Sequence, residues 1–219
     1  MPTQTFFNLP ESKRERLIAG AMKEFTEKSL NEASISNIVK NAGISRGSFY
    51  QYFEDKKDLY FYLLGKFKYN YNRLMVKSFK EVEGDFYEGY KIFGEKYIKY
   101  IMDSEKFGFF ENMYLHMNYQ INQESGATII ATPSNNKTEH PIDERVIDVV
   151  KREQVKACTD QEFISILRYI LNILNDTIME GFWKALTIEE TQKLFATRLE
   201  WMTKGVLKDL TDEKMEDEV

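Results

Sequence analysis

The sequence predicts an all-helical protein, and three observations carry that reading. Apolar residues recur at i, i+3 and i+4 along most of the chain, helix-initiating motifs punctuate them, and no valine- or isoleucine-rich alternating run argues for a sheet. Two of the initiating motifs are capping boxes, Thr159-x-x-Glu162 and Thr187-x-x-Glu190. In such a box the hydroxyl and the carboxylate each satisfy a backbone N–H of the first turn.

Taken in order, Leu17, Ile18, Ala21, Met22 and Phe25 mark a first amphipathic helix, and Ile35, Ile38, Val39 and Ala42 a second. Phe49 and Phe53 mark a short third. Ser34 stands at the N-cap of the second, Ala42-Gly43 at its stop, and Ser45 at the N-cap of the third, so the two helices cross steeply over a turn of Gly43 and Ile44. Asp55 with Asp58 opens a long helix over Leu59 to Val82, and Gly84-Asp85 ends it. Phe86 to Met102 resumes with Phe86, Tyr90, Phe93, Tyr97, Tyr100 and Ile101 on one face, and another helix spans Lys106 to Ile121. Asn122 to His140 is too polar and irregular for a core element and reads as a long surface loop. Pro141 suits the first turn of a helix running to about Ala157. The two capping boxes then open helices carrying Phe163, Ile166, Leu167, Ile170, Leu171, Leu174 and Ile178, and Leu194, Leu199, Met202, Val206 and Leu210. The acidic residues Thr211 to Val219 read as a frayed end.

Composition narrows the function. A chain of 219 residues that is 42% apolar and 30% charged can bury a packed core without staples. The single cysteine, Cys158, rules out an intrachain disulfide, a Cys-x-x-Cys pair and a thiolate zinc cluster, and makes a reducing, cytoplasmic compartment the expectation. Met1 to Pro10 has no signal-peptide pattern, and the greasiest stretch, Phe163 to Trp183, is interrupted by Arg168, Asn172, Asn175, Asp176 and Glu180, so no membrane span is expected. The net charge of −5 divides into +1 over residues 1–56 and −6 over the rest, which points to an N-terminal segment that meets something anionic.

The third helix is the informative one. With Phe49 and Phe53 inward, Gly47, Ser48 and Gln51 fall on the opposite side, flanked by Tyr50 and Tyr52. Gly47 leaves room for close approach, Gln51 can hydrogen-bond base edges, and Arg46 can reach guanine or phosphate. The helix N-termini at Ser34 and Ser45 offer backbone N–H groups to phosphate oxygens. The run Ser34-Ile35-Ser36-Asn37-Ile38-Val39-x-x-Ala42-Gly43-Ile44-Ser45-Arg46-Gly47-Ser48-Phe49-Tyr50-Gln51-Tyr52-Phe53-x-x-Lys56-x-x-Leu59 resembles the DNA-binding signature of the TetR family of bacterial repressors. The resemblance covers about residues 12 to 60; beyond Leu59 only the length and the helical character are shared.

The resemblance implies that Ser34 caps its helix and touches phosphate, that Ser45, Arg46, Gly47 and Gln51 face the major groove, and that Tyr50, Tyr52 and Lys56 hold the phosphate backbone. It departs from the family at Tyr52, where many members have histidine, and at Ser34-Ile35 in place of Thr-Thr or Thr-Ser. Packing under the first helix is the competing reading for Tyr50, and a solvated side chain that for Lys56. The implied organisation is a helix-turn-helix DNA-binding domain over residues 1–56 and a helical effector-binding and dimerisation domain over 57–219.

A two-turn recognition helix buries too little to be specific alone, so a homodimer on a palindromic operator is expected. Its interface is assigned to Phe163, Ile166, Leu167, Ile170, Leu171, Leu174, Ile178, Leu199, Met202 and Val206; the alternative is that both helices merely finish the monomer core. Residues 60–119 hold 18 of the 29 Phe and Tyr residues, as either a thick aromatic core or a ring-lined cavity. The resemblance implies an effector pocket there for a small hydrophobic or aromatic molecule, placed around Phe93, Tyr97, Phe110, Met113, Tyr114, His116 and Met117. His116 with Met113 and Met117, or His140, would be the first ligands to test were haem the effector; core packing is the competing role for His116 and exposure that for His140. No cofactor or metal is otherwise required. No paired Glu-x-x-His, Gly-x-Gly-x-x-Gly, P-loop or His-Glu-x-x-His motif occurs, so an enzyme is not expected, and an adaptor that binds only protein would leave Arg46 and Gln51 without a task.

Overall fold

A computed structural model describes residues 2–103, 105–116, 144–157 and 159–206. Among the described residues there are ten α-helices, one 3-10 turn and no strand. Met117, the loop at 122–140, His140, Pro141, Cys158, Leu210 and the acidic end lie outside them.

The head of the molecule is α1 (Gln4–Phe7), α2 (Glu11–Glu27), α3 (Ile35–Ala42) and α4 (Arg46–Tyr52). Leu17, Ala21 and Phe25 of α2 meet Ile38, Val39 and Ala42 of α3 in a buried seam, as the apolar spacing predicts. Gly43 closes α3 at φ 65°, a left-handed position that a side chain with a Cβ resists, and this sets the turn into α4. The additional helix α1 carries a fully buried Phe6, whose ring lies 4.8 Å from Phe53 and 5.1 Å from Tyr62.

The body begins with α5 (Lys56–Glu81), opened by Asp55, whose carboxylate accepts the Asp58 N–H at 2.8 Å. Next come α6 (Phe86–Met102), opened in the same way by Asp85 on Glu88, and α7 (Phe107–His116). After the one-turn α8 (Glu144–Ile147) and a 3-10 turn (Arg152–Gln154), the long α9 (Asp160–Trp183) and α10 (Ile188–Lys204) complete it. Both predicted capping boxes are closed, by Thr159 with Glu162 and by Thr187 with Glu190.

Three predicted features are corrected. The helix expected from Pro141 to about Ala157 does not run through, because this segment spends its polar groups on the α5–α6 turn. The Lys151 N–H donates to Gly84 O at 2.9 Å, the Gln154 amide donates to Asp85 at 2.9 Å, and its oxygen accepts the Phe86 N–H at 2.7 Å. Gln154 thereby serves the orphan N-terminus of α6, which a continuous helix could not do. The final helix stops at Lys204, with Gly205 at its C-cap, short of the expected Val206 and Leu210.

The third correction concerns the residues assigned to the dimer. Phe163, Leu167, Ile170, Leu171, Leu174, Ile178 and Leu199 are buried within the single chain, against α6, α7 and each other. Ile166 and Met202 are half-buried against the same core, and Val206 is exposed. The apolar stripe of an amphipathic helix is drawn first to its own chain's core, and here α6 and α7 supply enough facing surface to absorb it. Arg198 ties α9 to α10, reaching Asp176 at 3.3 Å, the Thr177 hydroxyl at 3.1 Å, and Glu180. Head and body meet where α7 lies on the end of α2. The Asn112 amide donates to the Phe25 and Thr26 carbonyls at 3.3 and 3.0 Å, and Gly108 is so close that a Cβ would stand 2.8 Å from Thr26 O.

Candidate nucleic-acid interface

The face that α4 presents is fixed from both ends. At its start the Ser45 hydroxyl accepts the Ser48 N–H at 3.1 Å, as predicted. At its finish the Thr3 hydroxyl donates to Gln51 O at 2.6 Å and the Thr3 N–H to Tyr52 O at 3.0 Å. Residues ahead of α1 thus satisfy carbonyls that a two-turn helix leaves unpaired. Sequence reasoning missed this brace; the only signal for it was the apolar group Phe6, Phe7 and Leu9 ahead of Pro10.

Phe49 is fully buried beneath α4, and Arg46, Gly47, Tyr50 and Gln51 are exposed on the other side. Ser48 is half-buried, its hydroxyl 2.9 Å from that of Ser45. The Arg46 guanidinium donates to Ser36 of α3 at 3.3 Å and to the Tyr50 hydroxyl at 3.2 Å, and its centre lies 5.8 Å from the Tyr50 ring. It is thereby held against the surface where an anion would arrive. A Cβ at Gly47 would meet only Ser45 Oγ at 3.9 Å, so the fold has no need of glycine there and its small size serves the outside.

Three of the residues expected at DNA have partners within the chain. Tyr52 is buried, with Lys13 5.9 Å above its ring, so it packs the head instead of reaching for phosphate. Lys56 donates to Asn31 O and Ala33 O, each at 2.8 Å, and clamps the α2–α3 turn to the start of α5. Ser34 holds the N-cap position without a side-chain cap bond. Its backbone N–H instead donates at 2.8 Å to the carboxylate of Glu24, a residue only 3% exposed, which also accepts from the Asn37 amide at 3.1 Å. The carboxylate of α2 does the capping work, and the Ser34 hydroxyl is left for other use.

In the body, Phe93, Tyr97, Phe110 and Met113 are buried together. Tyr71 stands edge-on to Phe93 and Tyr97 at 5.0 and 4.8 Å, and Phe93 stacks on Tyr97 at 5.6 Å. Tyr114 is half-buried, and its hydroxyl donates to Asn175 at 3.1 Å. Burial pushes the Tyr71, Tyr97 and Tyr114 hydroxyls above the ordinary phenol range, so they stay protonated. His116 is exposed, near enough to Glu32 to help hold that carboxyl below its usual value behind the larger effect of Ser29. The structure therefore does not bring His116 together with the buried Met113. A groove of about 440 Å³ runs along Tyr114, Leu115, Asp176, Met179, Glu180 and Trp183. No described helix is long and apolar enough to cross a membrane.

A steep two-helix corner with a braced, polar, outward-facing second helix, set on a helical body, defines a helix-turn-helix DNA-binding regulator. Comparison with known proteins agrees and goes further. Residues 17–63 match the family described as bacterial regulatory proteins, tetR family, and residues 85–206, more than half of the chain, match the tetracyclin repressor-like C-terminal domain. The chain belongs to the TetR family of transcriptional regulators.

Among curated relatives, the uncharacterized HTH-type transcriptional regulator YvdT of Bacillus subtilis is 44% identical over 59 residues, 27% of this chain and 28% of its own length. An HTH-type transcriptional regulator of Staphylococcus aureus is 32% identical over 79 residues, 36% of this chain and 40% of its own. The chain thus matches well under half the length of these relatives. Two solved structures cover 88% of this chain and 99% of their own. The FadR regulator of Bacillus subtilis in complex with stearoyl-CoA is 16% identical with a TM-score of 0.62, and the fatty acid degradation regulator FadR of Bacillus halodurans is 17% identical with a TM-score of 0.64. At that identity the likeness establishes the fold.

Proposed function

We propose that the protein is a homodimeric repressor that binds a palindromic operator through α4 and is released by a small apolar or aromatic effector held in the body. The observation that carries the DNA reading is the outer face of α4. Arg46, Gly47, Tyr50 and Gln51 take no part in the core, and together they present a planar guanidinium, an amide and an open backbone on one short helix.

A second copy of the chain is supported by what α9 leaves outside after its core stripe is absorbed. Tyr169 is 64% exposed and Trp183 75%, with Met179 between them on the same side of the helix and Trp201 exposed on α10. Large rings in solvent are the residues that anchor interfaces. These four replace the buried residues as the proposed dimer contacts, Val206 keeping its place beside them. Release is assigned to α7, whose Gly108 and Asn112 grip the end of α2 while its Tyr114 hydrogen-bonds into the body. An apolar effector is in keeping with the solved relative that was captured with stearoyl-CoA.

The test is a fluorescence-anisotropy titration of the full chain against DNA flanking its own gene, at two salt concentrations, with scrambled DNA as control. Sequence-dependent binding at two protomers, or a multiple of two, per site is the expected result. Binding no tighter than to scrambled DNA overturns the reading for that site.

A further inference from the structure

The aromatic layer between α5 and α6 contains hydroxyl groups that the fold does not use. Five tyrosines meet in or beside it: Tyr71, Tyr90, Tyr97, Tyr100 and Tyr114. Two donate within the fold, Tyr90 to Leu167 O and Tyr114 to Asn175, each at 3.1 Å. The hydroxyls of Tyr71 and Tyr100 are buried with no hydrogen-bond partner, and so is that of Ser78, two turns beyond Tyr71 on the same side of α5. Native cores pair nearly all such groups, because each unpaired one forfeits its bond to water, and phenylalanine would fill both tyrosine positions without that cost.

The two unpaired phenols flank one ring. Tyr71 stands edge-on to Tyr97 at 4.8 Å, and Tyr100 stacks on Tyr97 at 6.3 Å. The wall around them is apolar, with Phe67, Met75, Phe93 and Phe110 all buried. Each phenol carries one O–H proton that no atom of the fold accepts, and an acceptor oxygen on a ligand would take it. An amine or other cation finds no buried carboxylate among these residues.

We propose that Tyr71 and Tyr100 form the polar anchor of the effector site, and that its ligand is a mainly apolar molecule carrying an acceptor oxygen, a carbonyl or a carboxylate, which takes their hydroxyl protons. The proposal rests on reading the body as an effector-binding domain. Without ligand the rings close on one another and leave the hydroxyls unpaired; with ligand the rings part and the pairing is restored. The site thus holds unmet hydrogen-bonding capacity that an acceptor-bearing molecule satisfies.

The test uses the full chain, wild type and the variants Tyr71→Phe, Tyr100→Phe and both together. The probes are 2-acetylnaphthalene, 2-naphthoic acid and decanoic acid, with 2-ethylnaphthalene as the control that lacks an acceptor. The free variants are expected to melt at the wild-type temperature or above it, since each loses an unpaired hydroxyl and no contact. By calorimetric titration, at least one acceptor-bearing probe is expected to bind wild type about tenfold tighter than 2-ethylnaphthalene, and the double variant to lose that preference. The stronger of the ketone and the two acids identifies the charge state of the ligand. A lower melting temperature for the free variants, an unchanged preference, or no acceptor-bearing probe binding below about 1 mM overturns the proposal. Operator binding is measured separately on the same samples. Its failure counts against the regulator reading, whereas intact operator binding beside a failed probe series counts against the anchor alone.

Discussion

In the seven-residue α4, Phe49 goes inward and Arg46, Gly47, Tyr50 and Gln51 face solvent; in the 24-residue α9, a stripe from Phe163 to Phe182 goes inward and Tyr169, Met179 and Trp183 face solvent. Both helices satisfy the core with one face, and each leaves outside a face whose chemistry describes what belongs against it. On α4 that face is polar, donor-rich and stripped of bulk at Gly47, which suits base edges and phosphate. On α9 it is aromatic, which suits a partner that excludes water. A count of apolar residues therefore says little about an interface until the core has taken its share.

Filling the open spot on α4 should separate DNA reading from folding most widely. Gly47→Leu is expected to leave the melting temperature unchanged, since the position is exposed and a Cβ there meets only Ser45 Oγ at 3.9 Å, yet to weaken operator binding by about 3 kcal/mol, read by anisotropy. Trp183→Ala makes the reciprocal change on α9. It should cost about 2 kcal/mol of dimer affinity in sedimentation equilibrium and leave the fold of the chain intact, whereas Leu174→Ala, whose side chain is fully buried, should unfold both alike.

Lys56→Met sharpens the boundary between structural and DNA-facing residues. It removes the clamp on Asn31 O and Ala33 O, so thermal stability should fall by about 1 to 2 kcal/mol, and the salt slope of DNA binding should stay as in wild type. A slope reduced by about one, with stability unchanged, would return Lys56 to the phosphate backbone.

The smallest effect is in pH. The Glu88 N–H and the Gln154 amide hold the Asp85 carboxyl below its ordinary 3.8, while Lys184 and then Arg198 hold Glu180, and Thr187 holds Glu190, below the ordinary 4.5. Carboxyls lowered in the folded state stabilise it at any pH above their unfolded values and lose that contribution as pH falls through the folded ones. Melting temperature should therefore be flat from pH 7 to about 5 and decline below about 4, and Asp85→Asn should show a shallower decline.

Most of the head was legible from its residues, because its grammar is local. Ser45, Gly43 and the spacing of Phe49 and Phe53 act within a few residues of themselves, and each does in the structure what its type predicts. The partners that Tyr52, Lys56 and Ser34 take within the chain were not legible because they are distant in sequence. The partners are Lys13 over a ring, two carbonyls 23 and 25 residues away, and Glu24 ten residues back. The body shows the same limit on a larger scale. Helix starts at Asp55, Asp85, Thr159 and Thr187 were written in the chain, but that Gln154 would cap α6 from 68 residues away, and that α6 and α7 would absorb the α9 stripe, depended on how helices stack.

The brace from Thr3 to the end of α4 has a practical side. An affinity tag fused directly ahead of Thr3 would tug at the two bonds that steady the carbonyls of Gln51 and Tyr52, within the same short helix as the groove-facing side chains and at one of them, Gln51, itself. Preparations tagged at the N-terminus should show weaker or more variable operator affinity than the same protein after the tag is cleaved, with no change in its melting curve. Handling of the sample, as much as its sequence, will then decide how well this regulator is seen to read DNA.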